Sequence, residues 1–162
     1  MSAATDREDF TLRFGHVAEG SPWVARAAWE RGPFADRAAM AEAFAAVIRA
    51  APPERRLALI RAHPDLAGRA ARAGELTPES AGEQASAGLD RLTPADLERV
   101  ARLNTGYRER FGFPFVICVR GRSVAEILAA GEERLDNSPE AEQAAAIEEI
   151  AAIIALRHAD AP

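Results

Sequence analysis

Three side chains in this sequence are of types that bind anions or move protons, and each stands at an unusual position. His63 precedes Pro64 at the predicted end of a short helix, where a side chain can project into a cleft. Glu83 lies in a stretch of small residues, 80–89, that lets another backbone or a ligand approach closely. Arg157 continues the apolar stripe of the last predicted helix, which turns its guanidinium toward the interior. Together they could supply acid–base chemistry near neutral pH and a forked contact for anionic oxygens.

Each of these side chains also has an ordinary structural explanation. A histidine before a proline often caps a helix or faces solvent, and a glutamate among small residues is often simply solvated. An arginine near a helix end commonly extends past the core or pairs with a carboxylate. Asn104 shares a helix face with apolar residues, so we expect a buried amide that binds a neighbouring backbone group. The residues alone therefore do not select a reaction.

Composition excludes several classes of protein. The chain has 162 residues, of which 48% are hydrophobic and 28% charged, as in globular proteins. A net charge of -5 argues against a nucleic-acid or anionic-membrane surface, and no apolar run is long enough to span a bilayer. All 20 basic residues are arginine, so a lysine Schiff base, including covalently held pyridoxal phosphate, is impossible. We expect one domain, 1–162, with its core at about 10–158.

Metal binding and a secreted location are also disfavoured. Cys118 is the single cysteine, which cannot form an internal disulfide and suits a reducing compartment. His16 and His158 have no partners at metal-ligand spacing, so we predict no metal. The first eight residues lack the basic opening and apolar run of a secretion signal, which predicts a cytoplasmic protein.

Apolar residues recur three and four positions apart, and residues that start or end helices lie between these runs. This pattern predicts an all-α fold of about seven to nine unequal helices. The predicted helices lie at about 22–31, 36–50, 53–62, 66–72, 77–89, 94–111, from 123 onward, and 139–158. Residues 113–119 alone have strand-like composition. Because they contain Pro114 and have no evident partner strand, we predict an extended segment instead of a sheet.

Three ordered blocks of this sequence resemble the signatures of one family. They are His-Pro-Asp-Leu-Ala-Gly at 63–68, Ser-x-x-Glu-Gln-x-x-x-Gly-Leu at 80–89, and Asn-x-x-Tyr-x-x-x-Phe-Gly-Phe-Pro-Phe-Val-Ile at 104–117. The chain resembles, over about 10–157, OHCU decarboxylase (2-oxo-4-hydroxy-4-carboxy-5-ureidoimidazoline decarboxylase). The resemblance implies an enzyme, a carboxy-lyase that converts OHCU to (S)-allantoin in the last step of urate degradation.

The resemblance also assigns roles to residues of this chain. It implies that His63, Glu83 and Arg157 are catalytic. It implies the following substrate-binding residues: Pro64, Ser80, Ala81, Gly82, Glu83, Gln84, Phe115, Val116, Ile117, Cys118, Val119 and Arg157. The resemblance implies a homodimer, and it implies neither a metal site nor a cofactor. The end of the chain, 158–162, lacks the peroxisomal address of animal members, which favours a cytosolic bacterial enzyme.

The residue types suit the implied chemistry. OHCU carries its carboxylate beside an imine carbon, so the substrate itself can accept the electron pair that decarboxylation leaves. The enzyme then needs orientation, charge stabilisation and proton delivery. Two alternatives stay open: a helical module that binds a partner helix, and a related decarboxylase acting on another ureido or imidazoline acid.

Overall fold

Helices account for every regular element of residues 3–161, which are the residues that the computed structural model describes, with side chains described from residue 6 onward. The nine α-helices among them are α1 (Ala3–Phe14), α2 (Trp23–Trp29), α3 (Arg37–Ala50), α4 (Pro53–Arg61), α5 (Arg69–Arg72), α6 (Pro78–Ser86), α7 (Pro94–Phe111), α8 (Val124–Arg134) and α9 (Pro139–Asp160). A short 3-10 turn, Gly15–Val17, follows α1. The prediction of an all-α fold is confirmed. The predicted lack of a secretion signal concerns residues 1–8, and the predicted lack of a peroxisomal address concerns residues 158–162. Of these, residues 1, 2 and 162 lie outside the described residues.

The chain divides into two compact units. The first unit contains residues up to Ala62 and from Ile147 onward, and the second contains His63–Ala146. The sequence-based expectation of one domain over 1–162 stays a prediction.

Side-chain caps determine where several helices begin. Asp36 accepts a hydrogen bond from the backbone N–H three residues later, at 2.8 Å, and Thr77 and Thr93 cap α6 and α7 in the same way. Ser123 and Glu126 bond each other's backbone N–H groups at 3.1 Å, which forms a reciprocal capping box at α8. Because these capping residues are recognisable in the sequence, the starts of these helices were predicted closely.

Aromatic side chains form much of the core of the first unit. Phe10 packs against Phe14 and Trp29, with ring centroids 5.0 and 5.3 Å apart. Phe44 on α3 is fully buried and lies 6.3 Å from Phe10 by the same measure. The helix α1 that carries Phe10 had not been assigned from the sequence.

A glycine allows close packing in the second unit. A Cβ atom added at Gly131 on α8 would lie 2.4 Å from the Leu103 side chain and 3.0 Å from that of Phe115. The missing side chain therefore lets α8 approach both α7 and the segment that contains Phe115.

Residues 113–119 are extended and contain no strand, as predicted. Most of their side chains are buried, including Phe113, Phe115 and Val116. This segment thus contributes to the core of the second unit while its backbone stays available for hydrogen bonds outside any sheet.

Two predicted helix boundaries differ from the structure by three residues. The helix predicted to end at about Leu89 ends at Ser86. The sequence predicted helix from about residue 66, whereas α5 begins at Arg69 and has four residues. Ala67 has a φ angle of 47°, which is incompatible with a right-handed helix, so the residues before α5 form a loop.

The last helix, α9, has 22 residues and several acidic side chains. Within residues 3–161, no helix combines the length and apolar character needed to cross a membrane.

Candidate active site

His63 lies two residues after the end of α4 and is buried, with 7% of its surface exposed. It begins a loop of six residues, 63–68, called here the His63 loop. The prediction that His63 follows a helix end is confirmed, whereas its role as a catalytic residue stays a prediction.

The His63 loop adopts a conformation that local sequence does not favour. Ala67, with φ at 47°, occupies the left-handed region, which costs a residue with a side chain roughly 1 to 2 kcal/mol. A Cβ atom added at Gly68 would lie 2.7 Å from Cβ of Asp65, so only glycine fits at that position without a shift. The loop therefore needs contacts from other elements to hold this shape.

Two buried amide side chains supply such contacts. The Ala67 N–H donates to Oε1 of Gln84 at 2.9 Å, and Nε2 of Gln84 donates to the Asp65 carbonyl at 3.3 Å. Nδ2 of Asn104 donates to the Leu66 carbonyl at 3.0 Å. Three consecutive residues of the loop are thus bonded through their backbone by side chains from α6 and α7.

The expectation that Asn104 is a buried amide bonded to backbone is confirmed, since only 8% of it is exposed. An ion pair at the surface adds to the same loop, because Nη2 of Arg108 lies 2.9 Å from Oδ2 of Asp65. The Arg108 side chain is 61% exposed, so we assign little stability to this pair.

Glu83 lies on α6 and is half-buried, next to the buried Gln84. Because Gln84 bonds the His63 loop, the structure joins the helix that carries Glu83 to the loop that begins with His63. Of the other predicted substrate contacts on α6, Ser80 is buried, whereas Ala81 and Gly82 are exposed.

The extended segment is held by a buried charge network. Nη1 of Arg134 donates to the Val116 carbonyl at 3.0 Å. The same guanidinium binds both carboxylate oxygens of the fully buried Glu142, which also accepts from Tyr107 and Asn137. Burial raises the pKa of Tyr107, so its hydroxyl stays protonated and donates to Glu142. The backbone of the predicted pocket segment is therefore fixed by an ion pair that sequence reasoning missed.

Arg157 lies on α9 in the first unit and is 8% exposed, which confirms that the apolar stripe turns it inward. Its Nη1 atom lies 2.9 Å from Oε2 of Glu19 and donates to the Val17 carbonyl at 3.3 Å. The side chain of Glu19 is 5% exposed, so this is a buried ion pair. Sequence reasoning missed Glu19, although a buried arginine requires a carboxylate partner.

The predicted site residues therefore fall in both units. His63, Glu83 and the segment 115–119 belong to the second unit, in which shared hydrogen bonds fix the His63 loop against α6. Arg157 belongs to the first unit.

His158, adjacent to Arg157, is the most unusual histidine of the described residues. It is 1% exposed, its ring centroid lies 4.5 Å from that of Phe44, and neither ring nitrogen has a hydrogen-bond partner. Burial, followed by the charges of Arg37 and His16, lowers the pKa of His158 from 6.5 to about 4. His158 is thus a neutral, core residue at physiological pH.

Replacing His158 with leucine is expected to make stability less sensitive to acid. Between pH 6.5 and 4 the unfolded chain protonates this histidine while the folded chain does not, so the parent loses stability as pH falls. The loss amounts to at most about 3 kcal/mol. Urea unfolding at pH 7 and 4.5 measures it, and Arg102→Leu, at an exposed position in the second unit, serves as the control. An equal acid loss in parent and His158→Leu would contradict the assignment.

A metal centre is not evident in the described part of the chain, because no group of three or more His, Cys, Asp or Glu side chains there could hold an ion. The anchored His63, the half-buried Glu83 on α6 and the buried Arg157 stay predicted catalytic residues. An all-α fold with such side chains favours a helical enzyme over an adaptor module.

Comparison with known proteins identifies the family. The family model described as OHCU decarboxylase matches residues 3–159. A protein of Halalkalicoccus jeotgali named 2-oxo-4-hydroxy-4-carboxy-5-ureidoimidazoline decarboxylase is 45% identical over 152 residues, or 94% of this chain and 84% of that protein. The protein of the same name from Amia calva is 46% identical over 153 residues, or 94% of this chain and 87% of that protein.

Solved structures agree with this result. A crystal structure of (S)-allantoin synthase matches with a TM-score of 0.74 and 28% identity over 94% of this chain, which spans 49% of that longer chain. A crystal structure of OHCU decarboxylase in the presence of (S)-allantoin matches with a TM-score of 0.72 and 29% identity, covering 88% of this chain and 92% of the other. The chain belongs to the OHCU decarboxylase family.

Proposed function

We propose that this chain catalyses the decarboxylation of OHCU to (S)-allantoin, the last step of urate degradation. The observation that carries the proposal is the match of the OHCU decarboxylase family model to residues 3–159. Relatives named for this activity are 45% and 46% identical over nearly the whole chain.

The reaction needs no external electron sink. The bond between the ring carbon and the carboxylate breaks, carbon dioxide leaves, and the electron pair delocalises onto the adjacent imine nitrogen. The nitrogen takes up a proton, and a carbon–carbon double bond now joins the carbon that lost carbon dioxide to the former imine carbon. A second proton then adds to the former imine carbon, which bears the ureido group, while the neighbouring hydroxyl loses its proton and becomes the carbonyl of allantoin. Addition of that proton to one face sets the S configuration. The protein must therefore orient the substrate, stabilise the developing negative charge and control this proton.

His63 is the proposed proton-exchanging group. Imidazole is the side chain best suited to gain and lose a proton close to neutral pH. The burial of His63 and the anchoring of its loop support this role, because a general acid or base must be held in a defined orientation.

Glu83 and Arg157 are the proposed orienting groups. Glu83 would accept hydrogen bonds from the hydroxyl or ureido N–H groups of OHCU, and it is half-buried on a helix of small residues. Arg157 would hold anionic or carbonyl oxygens through its planar guanidinium. Its pairing with the buried Glu19 supports this role, since it fixes the guanidinium in one position.

The other proposed contacts of OHCU are Pro64, residues 80–84 and residues 115–119. Among these, Gln84 already bonds two backbone groups of the His63 loop, so part of its function is to hold that loop. The segment 115–119 would contribute mainly backbone groups, and Arg134 fixes it at Val116.

The proposal also covers the location, the oligomeric state, the domain organisation and the cofactor requirement of the protein. We propose that the protein acts as a cytoplasmic homodimer, as one domain, and without a metal or another cofactor. Light scattering coupled to size-exclusion chromatography tests the dimer, and an activity assay in the presence of a chelator tests metal independence.

A coupled assay tests the activity itself. Urate, urate oxidase and hydroxyisourate hydrolase generate OHCU, and its circular dichroism signal is followed with and without the purified chain. We expect faster decay and (S)-allantoin as the product, with no effect of a chelator. Decay at the spontaneous rate would exclude the proposed function, and activity on a different ureido or imidazoline acid would favour the related-decarboxylase alternative.

A further inference from the structure

We propose that Asn104 is a positioning residue, which sets the orientation of the His63 imidazole through its hydrogen bond to the Leu66 carbonyl. The inference rests on the proposed function only in the claim that His63 acts on OHCU. The structural part concerns how α7 holds the His63 loop, and it is testable without substrate.

The conformation of the loop makes an external anchor necessary. Ala67 is left-handed at φ 47°, and the approach of Gly68 to Asp65 leaves no room for a Cβ atom. A backbone segment in this state relaxes toward more favourable angles unless surrounding contacts hold it. Because His63 is three residues from Leu66, relaxation at Leu66 changes the direction in which the imidazole points.

Asn104 is well suited to be this anchor. It is 8% exposed, lies within the 18-residue α7, and donates from Nδ2 to the Leu66 carbonyl at 3.0 Å. Its Oδ1 atom is buried and has no hydrogen-bond partner among the described residues. Substitution by an apolar residue of similar size therefore removes one donated hydrogen bond and little else.

The other two anchors of the loop are less informative. Gln84 follows the proposed catalytic Glu83 and is itself a proposed substrate contact, so its substitution would mix two effects. The pair between Arg108 and Asp65 is exposed on the arginine side, where solvent weakens it. Asn104 is outside every proposed substrate contact, which separates positioning from binding.

We expect the loss of this anchor to lower kcat while KM changes little. Misplacement of a catalytic group by about 1 Å can cost up to about 10² in rate, so a fall in kcat of about tenfold or more is expected for Asn104→Leu. Substrate contacts stay in place, so KM should stay within about twofold. A purely structural role would reduce the folded fraction, yet leave kcat per folded molecule unchanged.

The test combines kinetics with histidine NMR. The chain has three histidines, and two of them, His16 and His158, belong to the first unit and serve as internal references. In Asn104→Leu the imidazole signals and titration of His63 should change, whereas those of the two reference histidines should not. Arg102→Leu, at an exposed position on the same helix, is the matched control and should match the parent.

Specific outcomes would overturn the inference. A folded Asn104→Leu variant with parental kcat and unchanged His63 signals would show that the amide does not position the imidazole. If Asn104→Leu does not fold, Asn104→Ala carries the test, because its methyl group is smaller than the amide and cannot donate to the Leu66 carbonyl. If the parent chain has no activity on OHCU, the proposed function fails, and the NMR comparison still decides whether Asn104 orients His63.

Discussion

Turnover of OHCU by the His63→Asn variant is expected to be about 10² to 10⁴ times slower than that of the parent, because an amide cannot exchange a proton near neutral pH. His63 is buried at the start of an anchored loop, so no other side chain is expected to take its place. Decay of the OHCU dichroism signal measures the rate. The chirality of the product is a second readout, since protonation without control of the face gives racemic allantoin.

The matched control for this prediction is His16→Asn. His16 is exposed and belongs to the first unit, so the same substitution there should leave rate and chirality at parental values. Far-ultraviolet circular dichroism of all three proteins checks that helix content is retained. If His63→Asn forms (S)-allantoin at the parental rate, His63 is not the proton-exchanging residue.

Breaking the buried pair between Arg157 and Glu19 is expected to have the largest effect on stability. Either Arg157→Met or Glu19→Leu leaves one charge buried without its partner, which typically costs about 3 to 5 kcal/mol of unfolding free energy. The double variant removes both charges and should regain most of that loss. Neither Arg157→Met nor the double variant should be active, because both lack the guanidinium.

This comparison separates the structural function of Arg157 from its proposed function in binding. Urea unfolding gives the free energies, and the coupled assay gives KM and kcat. The exposed pair between Arg49 and Glu148 has the same 2.9 Å separation in the same unit, so Arg49→Met should cost at most about 1 kcal/mol. A double variant with parental activity would show that Arg157 stabilises the fold and does not bind substrate.

Much of the fold could be predicted from the sequence because helices depend on local rules. Caps such as Ser123 and prolines such as Pro53 sit at helix starts, and they act within one helical turn. The inward direction of Arg157 also follows from local order, since every third or fourth residue of a helix faces the same side. The extended segment was predictable because Pro114 and the lack of a partner strand disfavour both helix and sheet.

Only the tertiary structure revealed what holds the candidate site residues in place. Glu19 and Arg157 are 138 positions apart, and nothing local indicates which of many carboxylates pairs with a buried guanidinium. The left-handed Ala67, its bond to α6 and the bond of the neighbouring Leu66 carbonyl to α7 were equally hidden, because neighbours in sequence disfavour that conformation and distant side chains impose it. The amino-acid order thus determined which helices form and which chemical groups the chain carries, whereas long-range packing decided which groups are paired, buried and held in a single orientation.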